Sequence, residues 1–367
     1  MPYPIFGNVL TSAQRAMRRR HHRPSPAADA MQRAVDAHVA VSAPAGALVA
    51  VAMTPQGTRE FCAGHIDGRD SPAPDADTQF EIGSITKTFT ATLLASMARK
   101  GLVTLDTPLD ELLEPDARLG RQSPRPVTLL DLAAHRSGLP RLPWGLPMLA
   151  GVLLTPSQPY RMLDESALRR WLRNRQVHNV GAAYCYSNLG YLVLGLVLAR
   201  RAGLDYASAL RRHVLDPLHL SATGLHPHGS CAQPHGALGQ RVDAWRRNDD
   251  LHGAGGLWST LADMAAWLRA NLDQREPVDA GLHTAIADAA TAGARIGLGW
   301  QLHGAEPASR VVWHDGATGG SRSFIAFAPA HGVGVVVLSA QGVSVDALGI
   351  GLLNEALRIA RASSTTG

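Results

Sequence analysis

A serine and a lysine three positions apart are the first candidates for chemistry in this sequence. Ser84 and Lys87 stand in the segment FEIGSITKTFT, and Lys87 is one of only two lysines among 35 basic residues. Arginine keeps its proton, whereas a lysine removed from water can titrate near neutrality and accept a proton from a neighbouring hydroxyl. Ser84 is therefore a candidate nucleophile, and Lys87 is a candidate base.

The spacing also predicts where these two side chains lie. Residues at i and i+3 share one face of a helix, and we expect Ser84 in the first turn of a helix that runs to about residue 99. Unpaired N–H groups at a helix start favour negative charge, so an alkoxide or an oxyanion at Ser84 would be stabilised there. The alternative is a serine that caps a helix and is followed by an exposed lysine.

The second candidate pair is Tyr186 and Asn188, just before a predicted helix over 192–199. A tyrosine can transfer a proton, and an asparagine amide can orient a substrate carbonyl or the lysine. The alternative is a tyrosine packed on the core beside an asparagine helix cap.

The third candidate segment is glycine-rich and contains His314, Asp315 and Gly316. Glycine beside a strand lets a substrate backbone approach closely and leaves N–H groups facing a cleft. We therefore predict that the N–H groups of Ser84 and Ala317 form an oxyanion hole. His314 is expected to be a proton donor at the rim. The alternative is an ordinary glycine-rich hairpin with a surface histidine.

Strand and helix signals describe the elements that must position these residues. They predict a helix, two strands, the helix at Ser84, a mostly helical stretch, four strands and a final helix. The first helix is predicted over 27–39 and the last over 345–361. The first two strands are predicted over 47–53 and 58–63, and the four later strands over 298–303, 310–313, 323–328 and 334–339. Consecutive strands joined by short turns indicate an antiparallel sheet. No strand ladder is evident between residues 105 and 272.

This order predicts an α/β fold whose main layer is built from both ends of the chain. Residues 27–104 and 273–367 would form an antiparallel sheet flanked by helices, and 105–272 would form a mostly helical subdomain inserted in the middle. Residues 1–26 are expected to be a loosely ordered basic tail. We expect the active site at the junction of the two subdomains, where ligand clefts are frequent.

Composition argues against several classes of function. The net charge is +5, but the arginines are scattered and only 5% of the 367 residues are aromatic. Nucleic-acid binding requires a concentrated basic face with stacking aromatics, so no nucleic-acid partner is predicted. The three cysteines, Cys62, Cys185 and Cys231, have neither disulfide nor metal-ligand spacing.

Targeting and metal signals are weak as well. The start of the sequence lacks the apolar region of a signal peptide, and no apolar run reaches about 18 residues, so we expect a cytoplasmic protein without a transmembrane segment. His226, His228 and His235 lack a supporting ligand pattern, and no metal or organic cofactor is predicted.

Taken together, the three segments resemble the penicillin-recognising serine hydrolases, on the branch with class C β-lactamases, D-Ala-D-Ala carboxypeptidases, D-aminopeptidases and related esterases. The resemblance covers residues 40–360. Its three motifs appear in order as Ser84-x-x-Lys87, Tyr186-x-Asn188 and His314-Asp315-Gly316, the last where class C β-lactamases have Lys-Thr-Gly. Segments 129–139 and 255–260 also match the family framework.

The resemblance implies a β-lactamase-like fold and a small-molecule or short-peptide substrate. It implies Ser84 as nucleophile, with Lys87 and Tyr186 sharing the general-base and general-acid roles. Asn188 would help to hold the substrate amide or ester. An acyl-Ser84 intermediate would form and would then be resolved by water or another acceptor.

Asp315 departs from the family pattern, because a threonine commonly stands there and helps to bind the substrate carboxylate of β-lactams and D-Ala-D-Ala peptides. Two carboxylates about 4 Å apart repel by about 4 kcal/mol at an effective dielectric of about 20. Arg322 would offset this if its side chain turned inward. We therefore expect an esterase, amidase or D-aminopeptidase role rather than penicillin hydrolysis. The alternatives are an acyltransferase of small-molecule biosynthesis and a catalytically silent binding protein.

Overall fold

The computed structural model describes residues 26–41, 46–120, 125–143, 145–154, 158, 160–173, 175–245, 251–278, 280–284, 287–288 and 294–364. The α-helices within them are α1 (Pro26–Val41), α2 (Thr86–Arg99), α3 (Leu109–Leu112), α4 (Leu129–Ala133), α5 (Leu146–Leu154), α6 (Glu165–Leu172), α7 (Asn188–Arg201), α8 (Tyr206–Leu210), α9 (Leu261–Asp273) and α10 (Asp346–Ser364). The strands are β1 (Leu48–Thr54), β2 (Gly57–Ala63), β3 (Gln79–Glu81), β4 (Trp258–Thr260), β5 (Ala287–Asp288), β6 (Ala294–Ile296), β7 (Gln301–His303), β8 (Val311–Ala317), β9 (Arg322–Ala328) and β10 (Val333–Ser339). The predicted tail over 1–26 lies, apart from its last residue, outside the described residues.

Eight strands form one antiparallel sheet in the order β2-β1-β10-β9-β8-β7-β6-β5. Its centre joins the two ends of the chain, because β1 pairs with β10 and places Leu48 opposite Ser339. On the other edge of β1, a tight turn between Thr54 and Gly57 returns the chain as β2. The predicted antiparallel sheet built from both chain ends is therefore confirmed.

The centre of the sheet is buried on both faces, and β1 illustrates how. Val49 and Val51 point into the core shared with α2 and α9. Leu48, Ala50 and Ala52 point into a second core, which α1 and α10 cover. Successive side chains of a strand alternate between faces, so a strand that is covered on both sides must be apolar throughout. This explains the unbroken apolar runs of β1 and β10.

Helix α2 links the sheet to the helical part of the chain and is buried from Thr86 to Met97. Phe89 stacks on Trp267 of α9 with ring centroids 4.1 Å apart. The hydroxyl of Thr90 lies 2.7 Å from that of Tyr206 in α8. A helix enclosed on all sides needs partners for its polar side chains, and these threonine contacts supply them.

Strands β3 and β4 form a separate two-stranded sheet that the sequence analysis missed. Glu81 pairs with Trp258, and Gln79 pairs with Thr260. β4 lies in the stretch where no strand ladder was evident, so that expectation was wrong there, and the short strands β5 and β6 were missed as well. Strands of two or three residues are too short to show an alternating pattern. The β3–β4 pairing fixes the segment that leads into Ser84.

Two boundaries near the candidate residues also differ from the prediction. β8 was expected to end at Trp313 but continues to Ala317, because Gly316 and Ala317 still pair with Ser323 and Arg322 of β9. Helix α7 begins at Asn188 rather than at Leu192. In the described part of the chain, no helix combines the length and apolar content needed to cross a bilayer.

Candidate active site

Ser84 lies on a 3-10 turn, Gly83–Ile85, that leads directly into α2. The structure thus places Ser84 just before the α-helix rather than in its first turn, although a 3-10 turn still aligns i with i+3. Gly83 has a φ of +49°, and a Cβ there would lie 2.6 Å from the backbone nitrogen of Ala317. A Cβ on Gly316 would lie 2.2 Å from the carbonyl oxygen of Ile82. Glycine at both positions lets the serine turn press against β8.

Lys87 is fully buried, and its ammonium points at the serine. Nζ lies 3.0 Å from Oγ of Ser84 and donates to the carbonyl oxygen of Ala254 at 2.6 Å. The same nitrogen lies 4.9 Å from the ring centroid of Tyr186. Backbone and aromatic neighbours thus hold the amine in hydrogen-bond range of a hydroxyl that could attack a substrate.

Tyr186 completes a group of three with Ser84 and Lys87, because its ring lies over Nζ of Lys87 and its side chain lines the same cleft as Ser84. Burial raises the pKa of the Tyr186 hydroxyl, and the nearby carboxylate of Asp315 raises it further, whereas the neighbouring Ser84 side chain opposes this rise. The phenol therefore keeps its proton at working pH and is available as a hydrogen-bond donor.

Asn188 stands two residues after Tyr186, at the first residue of α7. Its Nδ2 donates to the hydroxyl of Tyr160 at 2.8 Å. Its Oδ1 is buried and has no hydrogen-bond partner within the described residues. A buried amide oxygen without a partner is costly unless a ligand or water satisfies it.

His314 lies beneath the cleft and not at its rim, where the sequence analysis expected it. The side chain is 2% exposed, and Nδ1 donates to the carbonyl oxygen of Asp315 at 2.6 Å. Burial lowers the pKa of His314 to about 4, and the positive charge of Lys87 acts in the same direction. The imidazole is therefore neutral. It faces inward because successive side chains of β8 alternate between the two faces of the sheet, and Asp315 takes the face that is open to the cleft.

These residues surround a cleft of about 510 Å³. Ser84, Tyr186, Asn188, Asp315 and Ala317 line it, so the structure brings these predicted site residues together around one space. Its other lining residues, which the sequence analysis did not single out as site residues, are Arg141, Leu142, Tyr160, Tyr184, Trp245, Ala254, Gly255, Gln301 and Thr318. Aromatic and polar side chains thus share the walls.

With this geometry established, comparison with known proteins identifies the family. The sequence profile of the Beta-lactamase family matches residues 13–356. The chain belongs to the beta-lactamase family. The comparisons support a serine hydrolase of this family at the level of general function, so the family, the fold and the hydrolase class predicted from the three motifs are confirmed.

Two curated members of the beta-lactamase family illustrate the range of its relatives. D-alanyl-D-alanine-carboxypeptidase/endopeptidase AmpH of Escherichia coli (strain K12) is 27% identical over 285 residues, which cover 72% of this chain and 71% of AmpH. A beta-lactamase of the same strain is 26% identical over 326 residues, 76% of this chain and 80% of the relative. Among solved structures, a beta-lactamase/D-alanine carboxypeptidase from Pseudomonas syringae has a TM-score of 0.77 at 18% identity and covers 91% of this chain and 99% of that one. This likeness shows the fold.

Arg322 does not direct its hydrogen bonds toward Asp315, the position at which this family member departs from the Lys-Thr-Gly pattern. Its guanidinium donates to the carbonyl oxygens of Thr318 and Ser321, each at 2.8 Å. Burial lowers the pKa of Arg322, against the opposing charges of Asp346 and Asp315. The positive charge of Arg322 is therefore near Asp315, but Asp346 shares it.

Glu81 is a buried carboxylate that the sequence analysis overlooked. It accepts from the hydroxyls of Thr318 and Ser321 at 2.8 and 3.2 Å and from the backbone N–H of Trp245 at 2.7 Å. Glu81 thereby ties β3 to the turn after β8 and to the Trp245 segment, two parts of the cleft wall. One feature of the sequence could have indicated it: Glu81 is a carboxylate between Phe80 and Ile82, three residues before Ser84. A charge that is buried among apolar residues requires hydrogen-bond or charged partners.

Cysteine and histidine positions add no metal centre to this picture. Across the residues that the structure describes, no three His, Cys, Asp or Glu side chains are grouped so that they could hold a metal ion. Cys62, Cys185 and Cys231 are free thiols. His235 is buried, and its backbone N–H donates to the carbonyl oxygen of Ala340 at 3.0 Å, so it serves the packing between segments.

Proposed function

We propose that the protein hydrolyses esters or amides through an acyl-Ser84 intermediate. The observation that carries this proposal is the setting of one oxygen: Nζ of Lys87 lies 3.0 Å from Oγ of Ser84, and Tyr186 stands beside both at the wall of a cleft. A hydroxyl with two proton-transfer partners is the arrangement that nucleophilic acyl transfer requires.

In the proposed first step, the Ser84 oxygen attacks the substrate carbonyl while its proton passes to the Lys87–Tyr186 pair. The same pair returns a proton to the departing alcohol or amine, and water then cleaves the acyl-Ser84 bond. The raised pKa of Tyr186 supports its role as the group that protonates the leaving atom. Lys87 is then the group that receives the serine proton.

Two further contacts are proposed for the substrate carbonyl. The N–H groups of Ser84 and Ala317 would bind the oxyanion, since the serine turn lies directly against Ala317. Asn188 would hold the amide or ester through its amide group, which lines the cleft. Gly316 would act indirectly, because the space of its missing Cβ is taken by the carbonyl oxygen of Ile82 in the segment that leads to Ser84. His314, which lies beneath the cleft, would likewise support the strand rather than touch substrate.

We assign the substrate to esters, amides or D-amino-acid derivatives that lack a carboxylate beside the scissile bond or carry a cationic group there. Asp315 places a negative charge in the cleft, and the hydrogen bonds of Arg322 go to carbonyl oxygens instead. A substrate carboxylate near Asp315 would be repelled, whereas an ammonium would be attracted. This preference separates the proposed role from penicillin hydrolysis.

Intact mass spectrometry tests the nucleophile. The protein is exposed to a fluorophosphonate, activated esters and β-lactams, and the same panel is applied to Ser84→Ala and to Ser166→Ala, an exposed serine that serves as matched control. We expect a covalent mass increment on wild type and Ser166→Ala but none on Ser84→Ala. No increment on wild type with any reagent would refute the acyl-enzyme and favour a silent binding protein.

Turnover then tests the substrate class. A short acyl ester, a D-amino-acid amide and a cephalosporin are compared, with and without an added amine or alcohol acceptor. We expect the ester or the amide to be the better substrate and free acid to be the main product. Efficient cephalosporin hydrolysis with slow ester and amide turnover would contradict the substrate assignment, and acyl transfer to the acceptor as the main reaction would identify an acyltransferase.

A further inference from the structure

His135 occupies an unusual backbone position next to the candidate site. It follows α4 with a φ of +56°, a left-handed conformation that few non-glycine residues adopt, although histidine does so more often than most. Its side chain is 1% exposed. A strained backbone persists where surrounding interactions determine it, and such positions concentrate at functional sites.

Two hydrogen bonds connect His135 to the residues on either side of Tyr186. The backbone N–H of Cys185 donates to the carbonyl oxygen of His135 at 2.7 Å. The backbone N–H of Ser187 donates to Nδ1 of its imidazole at 3.0 Å. The left-handed turn allows one residue to offer its carbonyl and its ring nitrogen to the same short segment. The imidazole also packs against the phenol ring itself, with centroids 4.5 Å apart.

The protonation of this imidazole is fixed by its surroundings. Because Nδ1 accepts a hydrogen bond, the proton of the neutral ring is on Nε2, and that atom is buried without a partner in the described part of the chain. Burial lowers the pKa of His135, and the positive charge of Lys87 lowers it further. The ring therefore remains neutral and accepts a hydrogen bond at Nδ1, although its Nε2–H makes no compensating hydrogen bond within the described residues.

We propose that His135 is a positioning residue for Tyr186, which it holds from both sides so that the phenol faces the Ser84 hydroxyl. The residue touches neither the serine oxygen nor the cleft, so it acts through Tyr186. This inference rests on the proposed acyl-transfer function. It predicts that the acceptor at Nδ1, and not the bulk of the ring, is what the reaction requires.

Three variants separate those two properties. His135→Asn keeps an acceptor close to the position of Nδ1 and suits a left-handed backbone. His135→Phe keeps the ring and loses the acceptor. Tyr186→Phe removes the phenol that is being positioned. With p-nitrophenyl acetate as probe, we expect His135→Phe to lower kcat about 100-fold with KM nearly unchanged, and His135→Asn to stay within about 5-fold of wild type.

A double-mutant cycle measures the coupling between His135 and Tyr186, which would be absent if His135 had only a general structural role. If His135 acts through Tyr186, His135→Phe adds little to the loss already caused by Tyr186→Phe. Hydrogen exchange supplies an independent measurement, since the amides of Cys185 and Ser187 should exchange faster in His135→Phe than in His135→Asn, while those of β10 remain protected.

The outcomes distinguish this inference from the proposed function. Additive losses in the double mutant, equal kcat for His135→Phe and wild type, or unchanged exchange at residues 185–187 would each overturn the positioning role while leaving acyl-Ser84 intact. Failure of wild type to acylate at Ser84 would remove the proposed function, and the positioning role with it. A His135→Phe protein that does not fold leaves the decision to His135→Asn, whose failure to retain activity in a folded state would count against the proposal.

Discussion

The two sides of the cleft differ in how firmly their polar groups are held. On the serine side, Lys87 bonds Ser84, its Nζ lies over the ring of Tyr186, and Lys87 is completely buried. On the strand side, Asp315 is only half-buried and shares the nearby cation of Arg322 with Asp346. Fixed, desolvated groups suit bond making, because they need no reorganisation during the reaction. A more open charged position suits discrimination between substrates, so we assign chemistry to the first side and selectivity to the second.

The largest effect is expected on the serine side, where substitution of each of the two lysines tests whether that side carries the chemistry. Lys87→Arg keeps a positive charge but removes a group that can accept a proton, and we expect kcat to fall about 1,000-fold. Lys100→Arg, at the other lysine of the chain, should leave kcat unchanged. Steady-state rates with p-nitrophenyl acetate provide the measurement. Undiminished acylation in Lys87→Arg would remove Lys87 from the chemistry.

The contact between the two sides gives the second prediction. Gly83→Ala places a Cβ against the backbone of Ala317, whereas Gly101→Ala meets open space at a similar positive φ. Both changes strain the backbone, so both should lower thermal stability, but only Gly83→Ala should displace Ser84 and reduce kcat by about 100-fold. Equal activities of the two variants would mean that the serine turn tolerates movement away from β8.

On the strand side, substitution of Asp315 is expected to change the selectivity between substrates without changing the chemistry at Ser84. Asp315→Thr removes the negative charge and supplies a hydroxyl that can bind a carboxylate, so kcat/KM for a cephalosporin should rise at least about 10-fold relative to a neutral ester. Asp315→Asn, which removes only the charge, separates electrostatics from the hydroxyl. If neither variant alters the ratio, Asp315 does not face the substrate carboxylate.

The smallest effect on turnover is expected at His314, whose protonation concerns the pH dependence of stability instead. Its pKa is about 4 in the folded protein against 6.5 when unperturbed. The unfolded chain therefore binds the extra proton between these values, and stability present above pH 6.5 is lost as the pH falls toward 4. The free energy of unfolding should fall with decreasing pH in this window, by on the order of 1 kcal/mol per pH unit from His314 alone.

Urea unfolding of wild type and His314→Asn across that pH range measures the difference. The variant should lose less stability on acidification than wild type, by an amount that grows steadily below pH 6.5. Identical pH profiles would show that His314 is protonated equally in both states, which contradicts its buried, neutral position.

The sequence predicted which residues gather at the cleft better than it predicted their surroundings. Ser84, Lys87 and Tyr186 could be selected because residue type and spacing restrict what they can do. The position of His314 could not, since strand β8 was expected to end before it and the alternation of buried and open faces was therefore not applied. Glu81 was missed for another reason. Its partners Thr318 and Trp245 are distant in sequence, and no local pattern indicates that they converge.

The same reasoning accounts for the fold. The strands β1 and β10 carry long apolar runs, and the helices that cover them are periodic enough to be recognised. The strands β3 and β4 are three residues long, and their existence depends on each other. An element whose stability comes from a distant partner leaves little trace in its own residues.

The placement of β1 beside β10 has a consequence for how the protein is made. Ser323 on β9 donates a hydrogen bond to Ile82, 241 residues earlier in the chain, just before the nucleophile turn. During synthesis the serine segment leaves the ribosome long before the strands that complete its cleft, so the growing chain passes most of its synthesis without an assembled site. Pairing over such a separation is slow. The surroundings of Ser84 are therefore complete only after β8 and β9 have been added, which the ribosome synthesises long after the serine segment.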